Sequence, residues 1–531
     1  MTQSSSRPQW LSNFVYILAA IGCAAGLGNL WRFSMLAYEH GGAAFILALL
    51  LSNLLLVYPL LMMETAIGQK FQFSAPEAME KLKSKTSWIQ WIAVFSVFII
   101  LMYYVPIMSW GIKYFFASFN GEFLADPANY FMTNILHLSE SVSVPGGFQW
   151  SILGALILGY LFTIYALRKD VLSLGPVVKI TVTAPFVLLL ILIVRGVTLP
   201  GSAEGLRALF IPDWSALGNI KLWQAAVGQS FFSASLAVGY FIIAASHRPE
   251  KSEIPKTSLW ILAGNFGVSL LAGLAVFSTI GFMAAQQGVP ISEAATSGPM
   301  LVFSVLPTAV SMMPAGAIFF AALLFLVVIT LAIDSIFGLM EVIAGAFHDL
   351  WSKKFKYFNV LLTVILIGGL GALPYMMGAG LYYLDITDHF IGGYCLLLVG
   401  MLETAVVAYF IGPETVRQWI NNTAQGWKIP KFFNIVLYAT PLILAVLFFY
   451  TLYAETQEVY GGYPMEYIIG WGFVPLGLVF LLSIIFGVFT SRKIKSLKAG
   501  KKYCLVFSVL SGALVVNNSL SRINFRLRRK V

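Results

Sequence analysis

Long apolar runs separated by short polar segments set the pattern of this chain from residue 14 to residue 491. Twelve of the runs reach the roughly 20 residues that a helix needs to cross a lipid bilayer. They lie at about residues 14–38, 42–69, 88–119, 149–167, 172–195, 222–246, 257–285, 314–347, 357–377, 387–411, 432–454 and 463–491. The pattern therefore predicts an all-α polytopic membrane protein with about twelve transmembrane helices.

Glycines interrupt the first run near its middle, at Gly22, Gly26 and Gly28. A helix broken inside a membrane leaves backbone N–H and carbonyl groups without helical partners. Each such group costs several kcal/mol unless protein or a ligand satisfies it. Glycines also let membrane helices pack closely, which is the structural alternative. Because the polar residues Asn29 and Arg32 lie in the same run, we interpret the break as a ligand site.

Residues 232–240 predict a second break, in the sixth run, where Ser233 and Ser235 stand among apolar residues. Two broken helices five spans apart indicate two inverted repeats of five helices, spans 1–5 and 6–10. The serines alone are also explained by hydroxyls that bond back to a preceding carbonyl. These patterns divide the chain into an N-terminal segment, two repeats, two further helices and a basic tail, at residues 1–13, 14–195, 196–411, 412–491 and 492–531.

A carboxylate lies deep in the eighth run, at Asp334, and Ser335 follows it. Acidic residues at this depth are rare and are typical of ion pathways or of substrate sites. We therefore interpret Asp334 as a cation ligand.

Other polar side chains inside the spans carry less information. The third run contains Tyr103-Tyr104, and the seventh contains Asn265 and Ser269, which lie one helical turn apart. Three glutamates have no hydroxyl or amide cluster beside them in the sequence. They are Glu64, Glu341 and Glu403, and we interpret them as structural residues paired inside the bundle.

The composition agrees with a membrane protein and explains its charge. The 531 residues are 59% hydrophobic and 11% charged, the mean hydropathy is +0.83, and the formal net charge is +10. Lys and Arg concentrate in alternate loops and in the C-terminal tail. The positive-inside rule then predicts that both termini are cytoplasmic. We expect the protein to lie in the cell's inner (plasma) membrane. Membrane lipid is an expected partner and nucleic acid is not.

Motifs for other chemistries are absent from the sequence. It has no Walker loop, HExxH or GxSxG, and its five histidines and three cysteines lack metal-ligand or disulfide spacing. We therefore expect neither an enzyme nor an ATP-driven pump. The polar start predicts no cleavable signal peptide. Residues 286–313 are expected to form half-helices in an outer loop, and the apolar stretch 504–516 an interfacial helix or a disordered tail.

Five motifs together resemble the neurotransmitter:sodium symporter family, and in particular its bacterial amino-acid transporters. The resemblance covers about residues 7–455. It implies a fold of two inverted five-helix repeats with substrate and sodium between the broken helices. The motifs are Ala24-Ala25-Gly26-Leu27-Gly28-Asn29-Leu30-Trp31-Arg32-Phe33, Glu39-His40-Gly41-Gly42, Tyr103-Tyr104, Gly228-Gln229-Ser230-Phe231-Phe232-Ser233 and Leu331-Ala332-Ile333-Asp334-Ser335.

The resemblance implies two sodium sites. The first would use the Ala24 carbonyl and the side chains of Asn29, Ser233 and Asn265, and the substrate carboxylate would complete it. The second would use the carbonyls of Gly22, Ala25 and Leu331 with the side chains of Asp334 and Ser335. Hard oxygen ligands, several of them from the backbone, suit a small hard cation.

The resemblance also implies a substrate site between the breaks. The substrate carboxylate would meet the N–H groups of Leu27 and Gly28, where a half-helix begins, and the Tyr104 hydroxyl would donate to it. Phe232 would cover the pocket. The remaining pocket residues implied are Ala24, Gly26, Ile100, Ile107, Ser233, Ser235, Ala237, Val238, Ile336 and Leu339. The implied gates are Arg32, Asp388 and Gln229 at the outer side, and Arg7, Asp349 and Trp10 at the inner side.

Departures from the family pattern narrow the expectation. Amine-transporting relatives carry an aspartate where this chain has Gly26, so a substrate that brings its own carboxylate is favoured. Ser269 matches chloride-dependent relatives, whereas Leu49 replaces a tyrosine of the chloride site, which leaves chloride dependence open. His247 replaces a tyrosine of the inner gate, and an effect of pH on gating is therefore conceivable.

The sequence therefore predicts a sodium-coupled symporter that imports a neutral, hydrophobic amino acid by alternating access. Two sodium ions crossing 100 mV with a zwitterion would supply about twice 2.3 kcal/mol, on the order of a thousandfold accumulation. A proton-coupled amino-acid permease and a transport-inactive amino-acid sensor are the alternatives. The sequence specifies neither the amino acid nor the sodium stoichiometry nor the oligomeric state.

Overall fold

The structure, a computed structural model, describes residues 7–294, 296, 298–351 and 354–499. Fourteen long or functionally placed helices organise this part of the chain. They are α1 (Asn13–Ala24), α2 (Leu27–Glu39), α3 (Ala43–Phe71), α4 (Ser87–Ala117), α5 (Trp150–Leu167), α6 (Val171–Val197), α7 (Ile220–Ser233), α8 (Tyr240–Ser246), α9 (Pro255–Gln287), α10 (Ala317–Leu350), α11 (Tyr357–Met376), α12 (Gly380–Ile411), α13 (Phe432–Gly462) and α14 (Met465–Leu497).

Shorter elements connect the long helices. Residues 286–313 contain Ile291–Ala294 and Leu301–Ser311, which confirms the half-helices expected there. A three-residue strand, Arg168–Asp170, joins α5 to α6. The other connecting helices are Ala75–Leu82, Glu122–Leu124, Pro127–Tyr130, Phe131–Ile135, Ser202–Phe210, Trp214–Gly218 and Pro413–Asn421. The apolar stretch 504–516 and most of the basic tail lie outside the described residues.

Among the described residues, ten helices are long and apolar enough to cross a membrane, and the bent pair α1 and α2 makes eleven. The sixth predicted span is divided into α7 and α8, of 14 and 7 residues, each too short to cross a bilayer alone. The all-helical membrane class is therefore confirmed. The number twelve depends on counting α7 and α8 as one broken span and stays a prediction.

The burial pattern is that of a bundle with an apolar outer surface. Side chains such as Ile180, Leu366 and Val446 remain more than 60% exposed although they are large and apolar. A soluble protein rarely exposes so many such residues together, whereas lipid accommodates them. Inside the bundle, α4 packs along α10, and α1 packs against α9 and α10. The broken helices thus lie at the centre of the molecule.

We call the end of the bundle that carries Arg7, His247 and Asp349 the Arg7 end. The end that carries Arg32 and Asp388 is the Arg32 end.

Candidate functional site

The break between α1 and α2 exchanges helical hydrogen bonds for contacts with other helices. In a continuous helix the Cys23 carbonyl would accept from the Leu27 N–H. Instead, the Leu27 N–H donates to the Tyr104 hydroxyl at 3.3 Å, and the Cys23 carbonyl accepts from Ser235 Oγ at 3.2 Å and Ser335 Oγ at 3.4 Å. The axis bends by 67° here. Helices α4, α10 and the segment between α7 and α8 therefore satisfy the broken backbone.

Two further carbonyls lose their helical partners at the same point. The Gly26 N–H donates to the Ala24 carbonyl at 2.9 Å, so it is not used by Gly22. The Asn29 N–H donates to the Gly26 carbonyl at 3.1 Å and not to Ala25. The carbonyls of Gly22 and Ala25 are two of those that the family resemblance assigns to the second sodium site.

The expectation that all three glycines break the helix is wrong in detail. Only Ala25 and Gly26 leave the helix, whereas Gly22 lies inside α1 and Gly28 inside α2. Each of these two glycines permits a close helix contact. A Cβ on Gly22 would lie 2.5 Å from Val182 Cγ2, and one on Gly28 would lie 2.6 Å from Phe232 Cε1. The packing alternative therefore holds for Gly22 and Gly28, and the break itself is at Gly26.

The second break was predicted at residues 232–240 and lies at residues 234–239, between α7 and α8. Ser235 and Ala237 have φ values of +50° and +61°, a region that costs a residue with a side chain about 1–2 kcal/mol. The Ala237 N–H donates to Glu64 Oε1 of α3 at 2.9 Å. The Cβ of Ala237 lies toward Gly400 of α12. A buried carboxylate thus holds the strained segment in place.

Asp334 is a buried carboxylate that faces α1 across a short distance. Its side chain is 4% exposed and lies beside Gly22, where a Cβ would come within 3.0 Å of the Asp334 Cβ. Thr181 Oγ1 donates to Asp334 Oδ1 at 2.5 Å. No Lys, Arg or His of the described residues lies within 4.0 Å of this carboxylate. A buried anion without a basic partner is costly unless a cation neutralises it.

Ser335 connects this carboxylate to the break. Its hydroxyl lies within hydrogen-bond distance of the carbonyls of Cys23, at 3.4 Å, and Leu331, at 3.3 Å. The structure therefore brings together Gly22, Leu331, Asp334 and Ser335 of the predicted second sodium site, and Ala25, its fifth residue, lies at the break itself.

The predicted first sodium site is a cluster of amides and hydroxyls. Asn29 Nδ2 lies 3.0 Å from Ser233 Oγ, 2.8 Å from Asn265 Oδ1 and 2.9 Å from Ser269 Oγ. Asn265 Nδ2 donates to Ser233 Oγ at 2.9 Å. Turning the Asn29 amide by 180° would put its carbonyl oxygen in the same position. Asn29, Ser233 and Asn265 converge, and Ser269 is a further member of the cluster. The Ala24 carbonyl, the fourth predicted ligand, accepts from the Gly26 N–H, and its part in this site stays a prediction.

Tyr104 and Ser335 approach Gly26 closely at the break. A Cβ on Gly26 would lie 2.7 Å from Ser335 Oγ and 3.1 Å from the Tyr104 hydroxyl. Ile100 and Ile107 lie one turn before and one turn after Tyr104 on α4, so they share its face. Leu339 likewise follows Ser335 by one turn of α10. Their contact with a substrate stays a prediction, as does that of Val238 and Ile336.

The Arg32 end of the site lacks the ion pair expected there. Arg32 and Asp388 are exposed and form no ion pair within 4.0 Å, although they were expected to act as a pair. The Arg32 guanidinium lies 5.0 Å from the centre of the Phe232 ring, and Asp388 accepts from the Tyr103 hydroxyl. Both polar side-chain atoms of Gln229 are buried without a hydrogen-bond partner. The predicted outer-gate residues are thus neighbours of the site in an unpaired arrangement.

The Arg7 end is closed. Arg7 Nη2 and Asp349 Oδ2 form an ion pair of 2.9 Å whose side chains are 10% and 3% exposed. Trp10 Nε1 donates to the Ala244 carbonyl at 2.8 Å, which fastens the N-terminal segment to α8. These are the three residues predicted for the inner gate.

Comparison with known proteins identifies the family. A model of the sodium:neurotransmitter symporter family matches residues 7–125 and 121–498, nearly all of the chain. The chain belongs to this family. An uncharacterized sodium-dependent transporter of Methanocaldococcus jannaschii is 34% identical over 93% of this chain and 99% of its own length. A sodium- and chloride-dependent GABA transporter 2 of Bos taurus is 30% identical over 86% of this chain and 81% of its own length. A glycine transporter 2 of Xenopus laevis is 27% identical over 88% and 68%.

Membership makes this protein a membrane symporter of a sodium-dependent family, not a member of an enzyme family. Sequence reasoning missed Thr181, the hydroxyl neighbour of Asp334 in this symporter. Thr181 is one hydroxyl in an apolar run, and no spacing or motif in the sequence distinguishes it.

The three buried glutamates also have partners that the sequence did not reveal. Gln90 Nε2 donates to Glu403, and the Tyr357 hydroxyl donates to Glu341 at 2.7 Å. The sequence indicated no hydroxyl or amide near these acids because the partners come from distant parts of the chain.

Proposed function

We propose that this protein is a sodium-coupled symporter that imports a neutral, mainly hydrophobic amino acid by alternating access. The observation that carries the proposal is the buried Asp334 carboxylate, which faces freed backbone carbonyls of α1 and has no basic partner among the described residues. Carboxylate, hydroxyl and carbonyl oxygens are the ligands of a small hard cation. The sodium-dependent relatives make sodium the expected ion.

The same break supplies a place for the substrate carboxylate. Helix α2 begins at Leu27, so its first N–H groups carry the partial positive charge of a helix N-terminus. The Tyr104 hydroxyl lies within reach of the Leu27 N–H and would donate to the carboxylate when a substrate is bound. In this arrangement one substrate oxygen would also complete the first sodium shell, which couples the two ligands.

The substrate side chain would meet apolar surface. Ile107 and Ile336 are buried, and Ile100 and Leu339 lie on the faces of α4 and α10 that carry Tyr104 and Ser335. This chain has Gly26 where amine-transporting relatives carry an aspartate, so it offers no counter-ion for a lone amine there. A carboxylate side chain at residue 26 would also collide with Ser335. GABA and glycine, which name two of the relatives, also carry their own carboxylate.

The two ends of the molecule would then be gates. Basic loops place the Arg7 end at the cytoplasm under the positive-inside rule. The buried ion pair at the Arg7 end, together with the exposed Arg32 and Asp388 at the other end, supports an outward-facing arrangement.

The proposal is tested by uptake into vesicles that contain the purified protein. Pooled radiolabelled amino acids are supplied with sodium or potassium outside, with and without a protonophore. Sodium-only accumulation supports symport. Accumulation that persists in potassium but stops with a protonophore would replace the proposal by a proton-coupled permease. Binding without accumulation in either salt would replace it by a sensor.

Competition identifies the substrate once uptake is established. Unlabelled leucine, valine, phenylalanine, glycine, GABA and lysine are each added in excess to the sodium condition. We expect the large neutral amino acids to compete best and lysine least. Best competition by glycine or GABA would contradict the apolar pocket, while leaving sodium coupling intact. Repeating the assay with gluconate in place of chloride decides chloride dependence.

A further inference from the structure

Three metal-ligating side chains meet at the Arg7 end, away from the two clusters described above. His247 Nε2 lies 3.5 Å from Glu341 Oε1 and 3.9 Å from Asp170 Oδ1, and the three ligand atoms all lie within 4.8 Å of one another. His247 follows α8, Asp170 ends the strand before α6, and Glu341 lies in α10. No function described so far uses this cluster.

The histidine is oriented as a metal ligand is. Its Nδ1 lies 2.7 Å from the Pro8 carbonyl, which accepts only, so Nδ1 carries the proton and Nε2 is the nitrogen that a metal ion would bind, in place of a proton. Metal-ligating histidines commonly fix their second nitrogen on a carbonyl in this way. His247 is 1% exposed, and neither its Nε2 nor Glu341 Oε1 has a hydrogen-bond partner. Two buried, unpartnered atoms thus point into one space.

The carboxylates around this space are positioned by other groups. The Tyr357 hydroxyl donates to Glu341 Oε2 at 2.7 Å, and the Val171 N–H donates to Asp170 Oδ1 at 2.8 Å. The two carboxylates thus bring negative charge to one point beside His247. Such crowding of negative charge favours a cation at this point.

We propose that His247, Asp170 and Glu341 form a binding site for a divalent transition metal ion, Zn²⁺ in the first place. Zinc–ligand bonds of about 2.0–2.1 Å place tetrahedral ligands roughly 3.4 Å apart. The distance from His247 Nε2 to Glu341 Oε1 already has this value within 0.1 Å, and Asp170 Oδ1 lies about half an ångström farther from His247 Nε2 than this value. One imidazole and two carboxylates are a ligand set that zinc accepts, with water as the fourth ligand.

A cavity gives the ion and its water access. It has a volume of about 430 Å³ at the Arg7 end and is lined by Asp170 and Glu341, together with Arg7, His348, Tyr357 and others. Arg7, one of four Arg and Lys side chains that line the cavity with Arg168, Lys169 and Lys356, is paired with Asp349. The metal would enter from the cytoplasm if the proposed orientation is right.

Binding would join parts of the chain that must separate for the Arg7 end to open. The metal would tie α10 to the residue after α8 and to the connection between α5 and α6. Through Pro8 it would also hold the segment that carries Arg7. We expect bound Zn²⁺ to keep the Arg7 end closed and so to inhibit transport. This consequence rests on the proposed transport function, whereas metal binding itself does not.

Binding is measured on the full-length protein in detergent, after removal of any histidine tag, by calorimetric titration with ZnCl₂. Titration with Co²⁺ adds a spectroscopic readout, because tetrahedral cobalt absorbs strongly in the visible range. We expect one equivalent per chain. Asp170→Asn and Glu341→Gln should each weaken binding about 10–100-fold, as loss of a positioned ligand or its support does. His247→Gln should abolish the visible cobalt bands.

A matched control comes from the same cavity. His348→Gln removes another histidine that lines it but is outside the cluster, and binding should be unchanged. Size-exclusion profiles establish that each variant is folded. Where His247→Gln does not fold, Asp170→Asn replaces it as the test of the site. Weak binding of several equivalents, or equal loss in His348→Gln, would overturn the proposal.

The transport consequence is tested separately, with Zn²⁺ sealed inside the vesicles or supplied outside. Inhibition confined to the side that the Arg7 end faces, and lost in Asp170→Asn, is the expected result. Stoichiometric binding without inhibition would reject the locking role but keep the site. Absence of uptake in every condition would contradict the proposed function and leave the binding result unaffected.

Discussion

Packing and hydrogen bonds alone do not explain why the Asp334 carboxylate is buried. A carboxylate buried in the middle of a span costs several kcal/mol unless a cation or several donors compensate for it. Thr181 supplies one hydrogen bond, and Ser335 and the freed carbonyls of α1 supply only further oxygen atoms. A cation among these oxygens would balance the charge.

Asp334→Asn is therefore expected to weaken sodium dependence more than folding. The amide keeps the shape and can still accept from Thr181, but it removes the negative charge that attracts sodium. The sodium concentration for half-maximal uptake should rise about tenfold, which corresponds to about 1.4 kcal/mol. Sodium titration of uptake measures it, with Asp126→Asn in an exposed loop as the control. An unchanged sodium dependence would contradict the assignment.

Gly26→Ala is expected to remove uptake while the protein stays folded. The added methyl would lie 2.7 Å from Ser335 Oγ and 3.1 Å from the Tyr104 hydroxyl, where the substrate carboxylate is proposed to bind. Overpacking of this kind costs about 1–3 kcal/mol. Substrate binding is measured by scintillation proximity. Gly267→Ala, where a Cβ meets open space, should bind normally. Equal affinity in the two variants would place the substrate elsewhere.

At the scale of elements, the two breaks depend on side chains from neighbouring helices. The strained segment after α7 has Ser235 and Ala237 at positive φ, and its Ala237 N–H is paired only through Glu64 of α3. A break in a membrane helix is therefore a property of the helices around it as well as of its own sequence.

Removal of this acceptor should destabilise the fold. In Glu64→Leu the Ala237 N–H remains buried without a partner, at a cost of about 1–3 kcal/mol. Glu64→Gln keeps a carbonyl oxygen in place and should lose much less. Thermal unfolding in detergent, followed by intrinsic fluorescence, should give a midpoint several degrees lower for the leucine variant. The same midpoint for leucine and glutamine variants would show that Glu64 does not support the break.

At the scale of the whole molecule, the two ends differ in closure. The Arg7–Asp349 pair is buried, whereas Arg32 and Asp388 are exposed and unpaired. Breaking a buried pair by removal of one partner costs about 3–5 kcal/mol, because the other charge stays buried. We therefore expect the Arg7–Asp349 ion pair to determine how readily the Arg7 end opens during alternating access.

Arg7→Gln is expected to open the Arg7 end. Cys23 is buried beside the break and reports access to the site, in a background of Cys395→Ser and Cys504→Ser. A membrane-impermeant thiol reagent applied at the Arg7 end should modify Cys23 several times faster in Arg7→Gln. Arg207→Gln, which removes an exposed ion pair, is the control. Unchanged modification would show that the pair does not hold this end closed.

The sequence alone determined the membrane class and the two breaks, and it suggested most residues of the proposed site. These features are local. An apolar run, a glycine in a span and a buried carboxylate each carry a free-energy cost that depends on the residue and its near neighbours in sequence. The cost arises whatever the remainder of the chain does. The second break lies within the predicted residues 232–240, and the residues of both predicted clusters are brought together.

Only the tertiary structure decided which groups face one another. Thr181 reaches Asp334 across 153 positions of sequence, and Glu64 reaches Ala237 across 173. The cluster of His247, Asp170 and Glu341 has no metal-ligand spacing in the sequence, yet its ligand atoms lie within 4.8 Å. Pairings of this kind follow from how helices pack. The hydrophobic pattern determines which face of a helix is buried, but it does not determine which other helix packs against that face.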